Sequence, residues 1–218
     1  MTRAAAPRPR IAVLGAGHVG PVIARLVVAA GYHVSIAASG DPEEIALIAQ
    51  VLAPGAEPRF AGDAIDDADV VVLAIPVHAF AAFDSASVAG KLVVDVMNYW
   101  PPVDGVQELF EDRRYGSSEI VQQRLDRSTV VKTLNHIGYH ELDDEPRPVG
   151  SPERRALGVA SDDPDAADLV AEVIERIGYD PILLDSLYAG RLLEPGGPVF
   201  GVSLRRPEFE RALRADAA

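Results

Sequence analysis

An α/β fold, with a doubly wound, mostly parallel sheet and a C-terminal extension, is what this sequence predicts, on three observations. Short runs of Val, Leu and Ile without polar alternation recur along the chain, the pattern of strands covered on both faces. Amphipathic helical stretches separate these runs, which is the layout of a parallel sheet. The first run leads straight into Gly15-Ala16-Gly17-His18-Val19-Gly20 and then a helix. That is the setting in which G-x-G-x-x-G, in a Rossmann-type fold, holds a dinucleotide.

Each element has its own signal. Residues 10–14 read as the first strand and 33–37 as the second, with Val22, Ile23, Leu26 and Val27 on the helix between them, closed by Gly31. Asp41 is placed to cap the next helix, with Pro42 at its first position and Glu43-Glu44 in its first turn. Ile45, Leu47, Ile48 and Val51 are the expected apolar face of that helix. A short strand is expected at 59–61, then an acidic loop over 63–69, and strands at 70–74, 91–96, 129–134, 156–160 and 181–184. Asp163 and Pro164 open a strong helix with Val170, Ile174 and Ile177 on one face, ended by Gly178. Residues 1–9 are expected to be disordered or extended, 10–185 to form the dinucleotide-binding domain, and 186–218 to be an extension packed on it.

Composition narrows the function. The chain is 48% apolar and 24% charged, enough to bury a core. A net charge of −13 without a basic cluster argues against nucleic acid and anionic membranes as partners. The absence of cysteine excludes a thiolate metal site and a cysteine nucleophile. No apolar run is long enough to span a bilayer. A cytoplasmic homodimer acting on a small-molecule redox substrate is the expectation.

The glycines divide the work: Gly15 permits the turn, Gly17 lets backbone approach the pyrophosphate, and Gly20 lets helix and strand pack closely. Ala16, His18 and Val19 complete that loop. At the end of the second strand Ser39 stands where NAD-binding sheets usually carry an acid for the ribose 2′-OH, and Gly40 takes the slot beside it where a guanidinium would clamp a 2′-phosphate. Without that acid a 2′-phosphate is not repelled, which favours NADP(H). His18, His33 and Arg59 are the cations available to meet it. Asn98 lies at the carboxyl end of a buried strand, where ligands of open sheets collect, although an Asx-turn before Pro101-Pro102 explains it equally well.

Several stretches together are similar to one family. Residues 11–20, residues 36–43 (close to I-A-N-S-R-G-P-E) and 68–76 match it, as does 93–105 with its Asn98-Tyr99-Trp100-Pro101-Pro102. So do 130–136, near V-V-K-A-F-N-H, and the arginine-plus-P-G-x-P ending at 190–201. The chain resembles the NADPH-dependent reductases of the deazaflavin coenzyme F-420. The resemblance implies that Ala74, Ile75 and Pro76 line the nicotinamide ribose, with His78 as a neighbour. It also implies that the loop after Leu134 meets the deazaflavin ring. Gly40 stands where the family has arginine, and Gly138-Tyr139 where archaeal members have Pro-Ala.

Hydride transfer needs two rings held in contact in a dry site, and neither a nucleophile nor a metal. No catalytic acid or base is therefore assigned, and no metal site. Asn135, His136 and Tyr139 are the polar groups expected at the acceptor's edge, beside Ile137, with Gly197-Pro198 able to close over the ring. A His136 satisfied by backbone is the competing reading. Two other functions remain open: an NADP-dependent reductase of another acceptor (flavin, quinone or small imine), and a non-catalytic NADP-binding sensor.

Overall fold

The computed structural model describes residues 8–216. Its strands are Ile11–Leu14 (β1), Val34–Ala37 (β2), Glu57–Pro58 (β3), Val70–Leu73 (β4), Leu92–Asp95 (β5), Thr129–Lys132 (β6), Ala156–Ala160 (β7) and Asp180–Leu184 (β8). They form one sheet in the order β3-β2-β1-β4-β5-β6-β7-β8. Every pairing is parallel except β6 with β7. The sheet is doubly wound, as the apolar runs predicted. Strand order reverses between β1 and β4, and that reversal opens a crevice at the carboxyl ends of the two strands.

Alternate residues of each strand enter opposite cores. Val13, Val72, Val94 and Val131 face one side, and Leu14, Leu73, Val93 and Val130 the other. The first side is covered by helices Val19–Ala29 (α1), Pro42–Leu52 (α2) and, further along the chain, Pro164–Arg176. The second is covered by Ala61–Asp67 (α3), Val77–Phe80 (α4) and Ser117–Arg124. Asp41 and Asp163 cap their helices through Glu43 N–H (2.9 Å) and Ala166 N–H (3.1 Å), as their positions suggested. The expected disorder at 1–9 falls mostly outside the described residues. Arg8, however, donates to the carbonyls of Ala30 and Gly31, satisfying the C-terminal end of α1.

Two local expectations are corrected. The short strand lies at Glu57–Pro58 rather than 59–61, and the acidic stretch after it is α3 rather than a loop. Ala64 and Ile65 supply the buried side of α3, and Asp63 sits in its first turn, where the helix dipole favours an acid. On α2 only Ile45 and Ala49 are buried, while Leu47 is 70% and Val51 64% exposed. Leu47 and Val51 lie on the side of α2 opposite Ile45 and Ala49, so they fall outside the stripe that meets the sheet.

Both edge strands carry proline. Arg59 N–H bonds Ile36 O on β2 and Asp180 N–H bonds Arg155 O, so the alternation of a strand turns Pro58 and Pro181 outward. Arg206 also donates to Pro181 O at 2.8 Å.

After β8 come a 3-10 turn at Tyr188–Leu193 and a helix at Arg206–Asp216, which pack on β7 and β8 through Leu193, Val199 and Phe209. Gly158 in β7 is a glycine because a Cβ there would sit 2.5 Å from Leu193 Cδ2. Among the described residues no helix is long and apolar enough to cross a membrane.

Candidate functional site

The loop between β1 and α1 is built on three glycines, each with a separate reason. Gly15 has φ +121°, and a Cβ on it would lie 2.2 Å from Ala74 O. A Cβ on Gly20 would lie 1.8 Å from Gly15 O, so α1 can pack this close only on glycine. At Gly17 a Cβ would meet nothing within 4 Å. That open space is the cradle a pyrophosphate needs, beside the free N–H groups at the start of α1.

The loop forms one wall of a cleft of about 790 Å³ at the β1/β4 crevice. Ala16, His18, Val19 and Ser39 line it, as do Ala74, Ile75 and Pro76. The sequence reading missed Ala38, Ala61, Ala79, Ala82 and Phe83, which give the cleft an apolar face, and Asp84 beside them. Ala38 follows β2 and the others come from α3, α4 and the turn after it, and the alanines carry no signal of their own. Gly40 follows Ser39 just outside the lining. His78, on α4, is exposed and does not line the cleft. His33 lines a separate small cavity with Arg10 and Asp67, and Arg59 is paired to Asp67. Of the three expected cations only His18 reaches the cleft, and among the described residues no lysine or arginine lines it.

From the loop after β6, Tyr139 reaches His18 on this wall without itself lining the cleft. Tyr139 opens the short helix Tyr139–Asp144, which an Arg25–Asp143 ion pair fastens to α1. Its far end is held by the Tyr179 hydroxyl, which donates to Leu142 O at 2.9 Å. Burial pushes that hydroxyl's pKa well above its ordinary value. Tyr139 therefore stacks on His18, ring centroids 5.1 Å apart.

The other acceptor candidates turn away from the cleft. Ile137 enters the apolar core. Asn135 is buried, donating to Leu193 O at 2.6 Å and to Asn98 Oδ1 at 3.0 Å. Asn98 returns a bond to Asn135 O at 2.7 Å, so its role is to hold this loop. Gly197 sits in a tight turn where a Cβ would be 2.4 Å from Leu192 O, which accounts for that glycine without an approaching ring. Pro198 follows it in the same turn, and neither lines the cleft.

His136 is corrected outright as a ring-edge donor. It is 2% exposed. Its Nε2 accepts from Gly158 N–H at 3.1 Å, which places the proton on Nδ1, 3.2 Å from Asn135 Oδ1. Strands β6 and β7 share only the Lys132–Ala160 pair. His136 joins Thr133 (2.7 Å to Gly158 O) and Ser161 (2.8 Å to Val130 O) in stitching that seam.

Burial, reinforced by the charges of Arg155 and Lys132, lowers the His136 pKa to about 3. The unfolded chain takes up this proton near pH 6.5, whereas the folded chain takes it only near pH 3. Stability from this group is complete above pH 6.5 and falls as pH drops through that window, by at most about 1.4 kcal/mol per unit. Denaturant midpoints between pH 7.5 and 4 check this: His136→Gln should flatten the slope by up to one proton, and an unchanged slope would remove the assignment.

A group the sequence reading passed over lies behind the loop. Asp95 and Lys132 are register partners on β5 and β6 and are fully buried, with Lys132 Nζ 3.4 Å from Asp95 Oδ2. The signal was there to find, since the runs L-V-V-D and T-V-V-K each end an apolar strand on a charge. Among the described residues no group of three or more His, Cys, Asp or Glu is placed to hold a metal.

Residues 10–99 match the family described as NADP oxidoreductase coenzyme F420-dependent. A solved hypothetical protein from Sinorhizobium meliloti is 27% identical, with TM-score 0.78, over 90% of this chain and 95% of its own. A proposed F420-dependent NADP-reductase from Arthrobacter sp. FB24 is 25% identical, TM-score 0.70, over 91% of this chain and 100% of its own. A pyrroline-5-carboxylate reductase from Coxiella burnetii shares the fold at 16% identity, TM-score 0.58, over 95% of this chain and 68% of its own. No curated protein matches the chain.

Proposed function

We propose that this chain, an NADP-dependent oxidoreductase by its family match over residues 10–99, carries hydride between NADP(H) and the deazaflavin coenzyme F-420. The observation that supports this most is the pairing of an open Gly17 cradle with an aromatic wall, Tyr139 on His18, beside one crevice. The bound nicotinamide supplies the hydride. The chain's own residues bind and orient. The Gly15–Gly20 loop takes the pyrophosphate, while Ala74, Ile75 and Pro76 form the floor toward the nicotinamide. Tyr139, on His18, supplies aromatic surface for the acceptor beside the cleft, and the apolar side chains that line the cleft exclude water. Nothing in this arrangement must act as acid or base, since the acceptor can draw its proton from solvent. In this reading the enzyme works in the cytoplasm as a homodimer, a state that sedimentation would check.

Steady-state oxidation of NADPH with coenzyme F-420, a flavin, a quinone and a cyclic imine tests the reading. Turnover with the deazaflavin is expected to exceed that with the others, and its absence would sink the proposal. Tyr139→Ala should lower kcat/KM for the deazaflavin about tenfold while leaving the NADPH Kd within twofold, a loss of about 1.4 kcal/mol. An unchanged kcat/KM would take Tyr139 out of the site.

A further inference from the structure

Just outside the adenosine end of the cleft stands an exposed carboxylate that has no partner among the described residues. Ser39 lines the cleft where the sheet presents the adenine ribose with its 2′ substituent, and Gly40 comes next. Over Gly40 lies Glu44, from the first turn of α2. Its Oε2 is 2.6 Å, and its Oε1 3.6 Å, from where a Cβ on Gly40 would be. The neighbouring acid, Asp41, is occupied as the helix cap. The Glu44 carboxylate makes no hydrogen bond or ion pair among the described residues, and no lysine or arginine lines the cleft to offset it.

We propose that Glu44 sets the choice of nicotinamide cofactor, and that it lets the site take NADH as well as NADPH. A 2′-phosphate near Ser39 brings a negative charge toward this carboxylate, which disfavours it at short range. A 2′-OH in the same place has an acceptor to bond, the task that an acid at the end of the second strand performs in NAD-binding sheets. The free N–H groups at the start of α2 still attract the phosphate. The two effects oppose each other, and the discrimination between cofactors is narrow. Gly40 contributes by having no side chain, which leaves Glu44 room to fold back.

Calorimetric titration of the whole chain with NADPH and with NADH, without any acceptor, tests this independently of the hydride acceptor. The two Kd values of the unaltered chain should lie within tenfold of each other. Glu44→Gln should shift the NADH-to-NADPH Kd ratio at least threefold toward NADPH, and the shift should shrink as salt screens the charge. Gly40→Arg should shift it further. Gly40 does not have positive φ, and the only crowding is against the flexible end of Glu44, so the fold tolerates a side chain there. A ratio moved less than threefold by Glu44→Gln, or a Kd gap beyond tenfold in the unaltered chain, overturns the proposal.

Discussion

Lys132→Met is expected to lower the stability of the fold by about 3–5 kcal/mol, the usual consequence of stranding one charge of a buried pair. Lys132 Nζ is held by Asp95, by Met97 O at 3.1 Å and by the Ser117 hydroxyl at 3.2 Å. Asp95 in turn accepts from the Ser118 hydroxyl at 2.5 Å and from Met97 N–H at 2.9 Å. Removing the ammonium leaves a carboxylate with two donors, no counter-charge and no access to water. Urea denaturation followed by circular dichroism measures the loss. Adding Asp95→Asn to that variant should restore part of it, because the stranded charge goes too. A loss under 1 kcal/mol would mean that the pair is not what holds β5 to β6 at their carboxyl ends.

Gly17→Val should weaken NADPH binding at least tenfold, about 1.4 kcal/mol or more, with the melting transition unchanged. The fold accepts the side chain because nothing lies within 4 Å of the Cβ position, and the ligand does not, because that space is its own. Gly20→Val makes the opposite prediction. A Cβ there is driven to 1.8 Å from a backbone oxygen, so the protein itself should be destabilised. Calorimetry and thermal melts of both variants separate the two roles. Equal NADPH affinity in Gly17→Val and the unaltered chain would move the pyrophosphate elsewhere.

What the sequence made legible was local. The glycine loop, the Asp41 and Asp163 caps and the doubly buried strands each follow from neighbours a few residues away. What stayed hidden depended on direction across the fold. His136 and Tyr139 are three residues apart, yet one closes the β6–β7 seam and the other stacks on His18 at the wall of the cleft. No spacing rule decides between them, because the choice is made by Gly158 N–H from a strand of opposite sense. Leu47 and Ile48 were placed on one apolar face, yet Leu47 points away from the buried Ile45 and Ala49 and only Ile48 is partly covered. Glu44 was read as a favourable charge in a first turn, and its closeness to the ribose end appears only once Gly40 is seen beneath it.

The outward prolines at the two ends of the sheet bear on how copies of this protein can meet. A bare strand edge is a template on which another chain can dock by main-chain pairing, and proline removes the donor that such docking needs. At β8 the matching acceptor, Pro181 O, is already taken by Arg206. Growth of the sheet across a boundary between molecules is therefore hindered at Pro58 and at Pro181. Concentrated native protein should stay free of the ordered stacking that binds thioflavin.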